Sequence, residues 1–552
     1  MKKIGLLLAL VPFLVFAQSK KALKKMWAEQ QKVNALLTAQ LQKHVQYLAD
    51  DKLEGRRTGT AGELLAVKYI VNEYAQAAIL PKGTNGYIQP FEINEGKIVD
   101  DKSFLKVNNQ TLTINQHFFP LAFSASSQTK AQVALALNER NKPWFKDVKD
   151  WLDDNQQNPH YDIESDIKKY IDRVIQKGAT ALFLYNSSNQ TDNIQFNKND
   201  SSFTASIPII YLTKSGIAEY FKDAAATQHI ELSVAIYERK RTGHNVVAYI
   251  DNQAENTIII GAHLDHLGYG EDKNALDAGM LIHNGADDNA SGTAAVIELA
   301  KLLKQSTTAK NNNYLFIHFS GEELGLLGSK YWLQHPTVAI KPNYMINLDM
   351  VGRYDSAKKL TIGGYGTSPV WQTVFENTIN KNLVFKFDSS GSGPSDHASF
   401  YRANIPVLFF FTGSHADYHK ASDDWDKINY EAQREIVQYI VKLIETTNTK
   451  GKLTFTKTAE PSMGRSTRFT VSLGVIPDYG FTGTGVKIDG VSAGKMAEKI
   501  GLKAGDILLQ LGDYKFADVN NYMQALSKFK KGDTTKLTIK RGNEVLDFEV
   551  SF

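Results

Sequence analysis

The stretch TIIIGAHLD at residues 257–265 is a short apolar run that ends in a histidine and an aspartate. A run of this length that is apolar almost throughout is typical of a strand buried on both faces of a sheet. Four similar runs lie along the same part of the chain: NVVAYI (245–250), NYLFIHFS (313–320), YMINLDMV (344–351) and IPVLFFFTG (405–413). Helical segments alternate with these runs. This alternation predicts an α/β fold with a mixed, largely parallel sheet flanked by helices.

Polar side chains follow the first of these strands, where ligands bind in open α/β sheets. His263 and Asp265 can project from one face at the strand end, because strand side chains repeat every two residues. One of them can bind a metal while the other orients it. Asp288 lies in GADDNASG (285–292), in the loop before a helical segment. Taken alone, this acid is more simply interpreted as a helix N-cap.

The later strands show the same succession of an apolar run and a polar group. Glu322 and Glu323 lie side by side after residues 313–320, where one can coordinate a cation and the other can handle protons. Asp349 is predicted to lie inside an apolar strand, where a lone carboxylate is costly to bury unless it is paired or bound to a cation. His419 follows the last strand in a polar loop, directly after Tyr418.

Together these segments predict a metal site made of nitrogen and oxygen ligands. The chain contains no cysteine, which excludes disulfides, thiolate metal sites and cysteine nucleophiles. Imidazole and carboxylate groups suit zinc, and five ligands around a shared aspartate suit two ions about 3.5 to 4 Å apart. The candidate ligands are His263, Asp288, Glu323, Asp349 and His419, with Glu322 uncommitted.

Length and composition limit the class of protein. The 552 residues are enough for three or four domains of typical size. An apolar fraction of 42% and a charged fraction of 22% exclude a disordered chain and a protein with many membrane spans. A formal net charge of +4 is too small to argue for a nucleic-acid partner.

The N-terminal sequence MKKIGLLLALVPFLVFAQS has the pattern of a secretory signal peptide, which we assign to residues 1–17. Its apolar run is too short to span a bilayer as a helix, so we expect no transmembrane anchor in the mature chain. The pattern predicts export, to the periplasm or the extracellular space.

Changes in composition divide the rest of the chain. We expect residues 18–97 to begin the main α/β domain and residues 241–446 to complete it. Between them, residues 98–240 form short β-type runs and are predicted to be an inserted β-rich module. Residues 447–468 are polar and aperiodic, as in a linker. A final unit covers residues 469–552.

The motifs HLD, GADDNASG, SGEELG, NLDMVG and DYHKASDD, in this order, resemble the co-catalytic zinc aminopeptidases of metallopeptidase clan MH. The resemblance implies that His263 and Asp349 bind one zinc ion, that Glu323 and His419 bind a second, and that Asp288 bridges them. It also implies three catalytic roles: general base for Glu322, polarisation of the scissile carbonyl for Tyr418, and orientation of His263 for Asp265.

Two further segments resemble known modules. The inserted unit is similar to a protease-associated (PA) domain, through KGATALFLYN and SIPIIYLTKSG. The C-terminal unit is similar to a PDZ domain, through SLGV (472–475) and VSAGKMAEKIGLKAGDILLQLG. This likeness implies that Leu473, Gly474 and Val475 bind a peptide or the C-terminus of a protein. DKLEGRRTGT (51–60) and SDHASF (395–400) also resemble exported relatives, and no chemistry is assigned to them.

The resemblance implies an exported, zinc-dependent aminopeptidase that hydrolyses N-terminal residues from peptides through a water activated by two metals. A carboxypeptidase or a glutaminyl cyclase on the same fold is an alternative, and so is a peptide-binding protein without catalysis. GVSAG (490–494) matches the serine-hydrolase pattern, but the C-terminal unit around it contains no histidine. We therefore interpret it as a turn.

Overall fold

The structure is a computed structural model. It describes residues 20–458 and 471–552, apart from short gaps at 157–160, 162, 193, 199, 201–202, 273, 278, 358, 379, 478–480, 482, 492–494, 517–518 and 527. The predicted signal peptide, the second half of the predicted linker and most of the GVSAG segment lie outside the described residues. No helix among the described residues is both long enough and apolar enough to cross a membrane.

Two helices precede the first strands. They are α1 (Lys20–Leu48) and α2 (Ala61–Gln76), joined by a 3-10 helix at Asp51–Arg56. Leu41, Val45 and Leu48 repeat at helical spacing and are fully buried, so this face of α1 packs on the main core. Two strands follow, β1 (Leu80–Pro81) and β2 (Ile88–Val99).

A β-rich module comes next and contains two four-stranded sheets, with strand orders β4-β3-β10-β6 and β5-β9-β8-β7. Buried clusters formed from the module's own residues surround both sheets, as expected of a separate folding unit. Its elements are β3 (Phe104–Val107), β4 (Gln110–Thr111), β5 (Phe118–Pro120), β6 (Gln128–Ala134), β7 (Trp144–Asp147), α3 (Lys149–Asp154), α4 (Ile163–Gln176), β8 (Leu182–Tyr185), β9 (Ile209–Leu212), α5 (Lys214–Tyr220) and β10 (Thr227–Ser233).

The main domain is built on a mixed sheet of order β1-β11-β13-β12-β14-β17-β15-β16, with β2 also paired to β11. The four central strands β13, β12, β14 and β17 are parallel, whereas β11 and β15 run antiparallel to their inner neighbours. This confirms the predicted mixed α/β sheet. The elements are β11 (Ile236–Ile250), β12 (Thr257–His263), α6 (Gly292–Gln305), β13 (Asn313–Phe319), α7 (Leu327–Gln334), β14 (Pro342–Leu348), β15 (Leu360–Gly363), α8 (Val370–Asn377), β16 (Phe385–Phe387), α9 (His397–Arg402), β17 (Val407–Phe411) and α10 (Tyr430–Thr447).

The module is joined to this sheet by a two-stranded ribbon. Strands β2 and β11 pair antiparallel from Ile88 opposite Val246 to Val99 opposite Ile236. β11 therefore runs through residue 240, where the sequence predicted the end of the module.

The C-terminal unit has a sheet of order β18-β19-β20-β22-β23, with β21 paired to β20, and a buried core of its own. Before it, residues 453–458 lie along the main domain, where the Thr456 amide donates to the Thr367 carbonyl at 2.8 Å. The elements are β18 (Val475–Pro477), β19 (Val486–Val491), α11 (Met496–Lys499), β20 (Ile507–Leu511), β21 (Tyr514–Lys515), α12 (Val519–Leu526), β22 (Thr534–Arg541) and β23 (Glu544–Ser551).

The core of the main domain gives a direct test of the packing. We expect Leu299→Ala in α6 to lower the free energy of unfolding by about 2 to 5 kcal/mol, because Leu299 is fully buried and its removal leaves a cavity. Chemical denaturation followed by circular dichroism measures the change. Leu64→Ala on α2 is the matched control, since Leu64 is 47% exposed. Equal losses in the two variants would contradict the described core.

Candidate metal centre

Parallel strands bring the candidate residues to one edge of the sheet. His263 is the last residue of β12, Glu322 follows β13 after two residues, and Asp349 comes directly after β14. The prediction that Asp349 lies inside its strand was wrong by one position, since β14 ends at Leu348. His419 lies in the loop after β17. Because these four strands are parallel neighbours, their carboxyl ends meet.

His263 forms the first half of the cluster. Its Nε2 atom lies 3.3 Å from Asp288 Oδ1 and 3.4 Å from Asp349 Oδ1. Ligand atoms of His263, Glu322 and Asp349 all lie within 4.8 Å of one another. Asp349 Oδ1 is buried and has no hydrogen-bond partner within the described chain. A buried, unsatisfied carboxylate oxygen beside an imidazole nitrogen is what a cation site provides.

His419 forms the second half. Its Nε2 atom lies 3.3 Å from Asp288 Oδ2 and 3.3 Å from Glu323 Oε2. The two oxygens of Asp288 therefore face different histidines, in the position expected of a bridging ligand. Asp288 itself lies in the segment Ala286–Ser291, directly before α6, and its backbone is not helical (φ −105°, ψ 91°).

Both histidines have a fixed ring orientation. His263 Nδ1 donates to the main-chain carbonyl of Asp265 at 3.1 Å, and His419 Nδ1 donates to the carbonyl of Asn274 at 2.9 Å. A neutral imidazole that donates from Nδ1 keeps its lone pair on Nε2. Each Nε2 atom therefore faces the carboxylates of the cluster, where a bound cation would take the place of its proton.

The carboxylate of Asp265 has a different contact from the one expected. It lies 3.9 Å from His263 Nδ1 and instead accepts hydrogen bonds from the Thr58 hydroxyl at 2.9 Å and the Glu322 amide at 3.2 Å. The orientation of His263 thus comes from the main chain of Asp265. The side chain of Asp265 holds the start of the Glu322–Glu323 turn.

The structure also places His266 in the cluster, which the sequence analysis missed. His266 Nδ1 lies 2.8 Å from Glu323 Oε1, and the ligand atoms of His266, Asp288 and Glu323 lie within 4.8 Å of one another. His266 is buried and occupies one oxygen of Glu323, which leaves Oε2 facing His419. The sequence feature that could have indicated His266 is its position three residues after His263. Strand alternation does not predict the direction of its side chain, because the strand has already ended at His263.

The adjacent acids Glu322 and Glu323 have opposite environments. Burial raises the pKa of Glu322 well above its usual value, and the charges of Glu323 and Asp349 add to this effect. Burial also raises the pKa of Glu323, but hydrogen bonds with His266 and His419 outweigh it and lower that pKa to about 2. Glu323 is therefore suited to remain an anionic ligand, whereas Glu322 is suited to hold and release a proton.

Tyr418 lies beside the second half of the cluster. Its ring stacks on that of His419, with 3.9 Å between the centroids. Burial and the charges of Asp288 and Glu323 raise the pKa of its hydroxyl, so it stays protonated at neutral pH. A protonated phenol at this position can donate a hydrogen bond to a developing anion.

The residues predicted to bind a peptide lie in the C-terminal unit and do not join the cluster. The carbonyl of Leu473 accepts from the Ala497 amide at 2.8 Å. Gly474 has a φ of 81° and its amide donates to Ser472 Oγ at 3.1 Å, and Val475 begins β18. These residues make the turn that leads into β18.

Comparisons with known proteins find matches for two parts of the chain. Residues 245–444 match Peptidase family M28, and residues 453–552 match the PDZ domain family. The chain is 31% identical over 185 residues to Leupeptin-inactivating enzyme 1 of Streptomyces exfoliatus, covering 33% of this chain and 38% of the relative. It is 27% identical over 271 residues to Aminopeptidase YwaD of Bacillus subtilis (strain 168), covering 46% and 54%.

The chain thus spans between 38% and 54% of the length of these two curated relatives. A solved structure, BSAP, a zinc aminopeptidase from Bacillus subtilis, is aligned over 77% of this chain and 96% of its own at 18% identity. The TM-score of 0.40 is too low for that likeness to carry an argument about function.

The cluster predicts stabilisation by a divalent cation. Zinc at a free concentration of 100 times its dissociation constant would stabilise the folded state by about 2.7 kcal/mol, which corresponds to roughly 5 to 10 °C in the unfolding midpoint. Differential scanning calorimetry of chelator-treated protein with and without zinc measures this shift. Asp349→Asn should reduce it, and Asp101→Asn, at an exposed position, should not. Equal shifts in both variants would place the cation elsewhere.

Proposed function

We propose that the protein is a zinc-dependent aminopeptidase, because residues 245–444 match peptidase family M28 and residues 453–552 match the PDZ domain family. It would remove N-terminal residues from peptides. The observation that carries the proposal is the position of Asp288, whose two oxygens face His263 and His419 at 3.3 Å each. Such sharing is typical of sites that hold two ions.

The proposed zinc ligands follow from this geometry. His263 and Asp349 would hold one ion, Glu323 and His419 would hold the other, and Asp288 would contribute one oxygen to each. The Nε2 atoms of the two histidines, which face the carboxylates, and the unsatisfied Asp349 Oδ1 fit this role. When bound, two zinc ions lower the pKa of a water molecule and stabilise negative charge on a carbonyl oxygen.

Glu322 would act as the general base. It would accept a proton from the water that attacks the peptide carbonyl, and return that proton to the amine as the carbon–nitrogen bond breaks. Its position supports this role, since a carboxylate oxygen of Glu322 lies within 4.8 Å of ligand atoms of His263 and Asp349. The Tyr418 hydroxyl would donate to the carbonyl oxygen as negative charge develops there. Asp265, through the Glu322 amide, would keep the base in place.

The sequence and the sheet topology also suggest roles for the other units. We propose export on the signal-peptide pattern of residues 1–17, and a PA domain on the sequence likeness and the two four-stranded sheets of the inserted module. The PDZ domain would bind a peptide or the C-terminus of a protein around Leu473, Gly474 and Val475.

Substrate blocking tests the aminopeptidase assignment. We expect the protein to hydrolyse aminoacyl-coumarin substrates but not their N-acetylated forms. Addition of a chelator should stop this hydrolysis, and addition of zinc should restore it. Release of C-terminal residues from blocked peptides would instead indicate a carboxypeptidase, and one zinc per chain with cyclisation of N-terminal glutamine would indicate a glutaminyl cyclase. Absence of turnover from a chain loaded with zinc would favour the peptide-binding alternative.

Substitution of each of the two neighbouring glutamates tests which one is the general base and which one is a zinc ligand. Glu322→Gln should lower kcat by about 10²- to 10⁴-fold, while zinc content by atomic emission stays at the wild-type level. Glu323→Gln should lower zinc content, because Glu323 Oε2 faces His419 at 3.3 Å. If Glu322→Gln lost zinc and Glu323→Gln kept it, the two roles would be reversed.

A further inference from the structure

Arg56 lies in DKLEGRRTGT, the motif to which the proposed function assigns no chemistry. Its side chain is 1% exposed. A left-handed turn directs it inward, since Glu54, Gly55 and Arg56 have φ values of 48°, 68° and 48°. A Cβ at Gly55 would lie 2.5 Å from the His283 carbonyl oxygen, so only glycine allows the turn to pack this closely.

The guanidinium binds main-chain carbonyls. All four hydrogen bonds found for it in the described chain go to carbonyl oxygens. Nε donates to Leu264 at 3.0 Å, Nη1 donates to Leu48 and to Asn284 at 2.5 Å each, and Nη2 donates to Gly285 at 3.1 Å.

Three of these carbonyls, those of Leu264, Asn284 and Gly285, belong to the two loops that supply proposed zinc ligands, whereas Leu48 ends α1. Leu264 directly follows His263, and Gly285 precedes Asp288 by three residues. The planar fork of an arginine can hold several carbonyls at fixed angles, which a lysine cannot do. Arg56 therefore ties the loop after β12 to the loop before α6.

The hydrogen bonds of Arg56 favour cation binding by positioning the loops, whereas its positive charge disfavours it. Burial lowers the pKa of Arg56 to about 10, so the group is still charged at neutral pH, and Asp265, Asp288, Asp423 and Glu323 act on it electrostatically. A positive charge beneath the cluster repels zinc, whereas correct placement of the loops favours it. Removal of Arg56 therefore changes zinc affinity in a direction that reveals which effect is larger.

We propose that Arg56 is a positioning residue of the metal centre, which fixes the loops of His263 and Asp288 at the separation that two cations require. This inference rests on the proposed function, because it concerns the same site. Its failure and the failure of the proposed function are distinguishable, since wild-type protein that binds no zinc would refute the proposed function itself.

The test measures zinc affinity of metal-free Arg56→Met and Arg56→Lys by competition with a fluorescent chelator. It is done at a temperature at which circular dichroism shows each variant to be folded. We expect both variants to bind zinc about 10- to 100-fold more weakly than wild type, as found for residues that orient ligands. The visible spectrum of the cobalt-substituted protein should change as well, because ligand geometry changes.

Three results would overturn the inference. Tighter zinc binding by Arg56→Met would show that charge repulsion outweighs any positioning of the loops. Wild-type affinity in Arg56→Lys would show that the fork is not needed. A lower melting temperature with unchanged affinity and cobalt spectrum would indicate a purely structural role. Arg434→Met is the matched control, since Arg434 is buried on α10 with Glu431 and Glu435 and should leave zinc affinity unchanged.

Discussion

Carboxylates crowd together at one edge of the sheet, and this is the constraint on which the architecture depends. A buried carboxylate is costly unless positive charge or donors compensate it. Asp265, Asp288 and Asp349 are all buried, and Glu322 and Glu323 lie beside them. The fold compensates for this cost because it brings imidazoles, amides and a guanidinium from distant parts of the chain to the same edge.

The N-terminal segment supplies much of this support. Glu63, at the start of α2, is fully buried and accepts hydrogen bonds from the Gly59 amide, the His244 amide and the Ser320 hydroxyl. Ser320 directly precedes the Gly-Glu-Glu turn, so α2 holds the strand end from which Glu322 emerges. Residues almost 200 positions before the sheet's central strands therefore help to shape the site.

Sequence reasoning recovers what is encoded locally. Apolar runs predict the buried strands, and the order of acids and histidines after them indicates which strand ends converge. It fails where contacts depend on three-dimensional packing: His266 was missed because strand alternation stops at His263, and Arg56 because its partners are carbonyls that no side-chain pattern marks. We predicted that the carboxylate of Asp265 orients His263. In the structure the main-chain carbonyl of Asp265 makes that hydrogen bond.

The ribbon of β2 and β11 has a mechanical consequence. The strands pair along eleven residues, with one register shift between Arg239 and Lys240. Glu95 of β2 forms ion pairs with Arg241 at 2.7 Å and with Arg57 at 3.2 Å, near the edge of the sheet that carries the candidate metal cluster. Bending the ribbon at this base would require breaking several of these contacts together, so we expect the base to be stiff. A stiff base would hold the inserted module at a set distance from the candidate metal cluster.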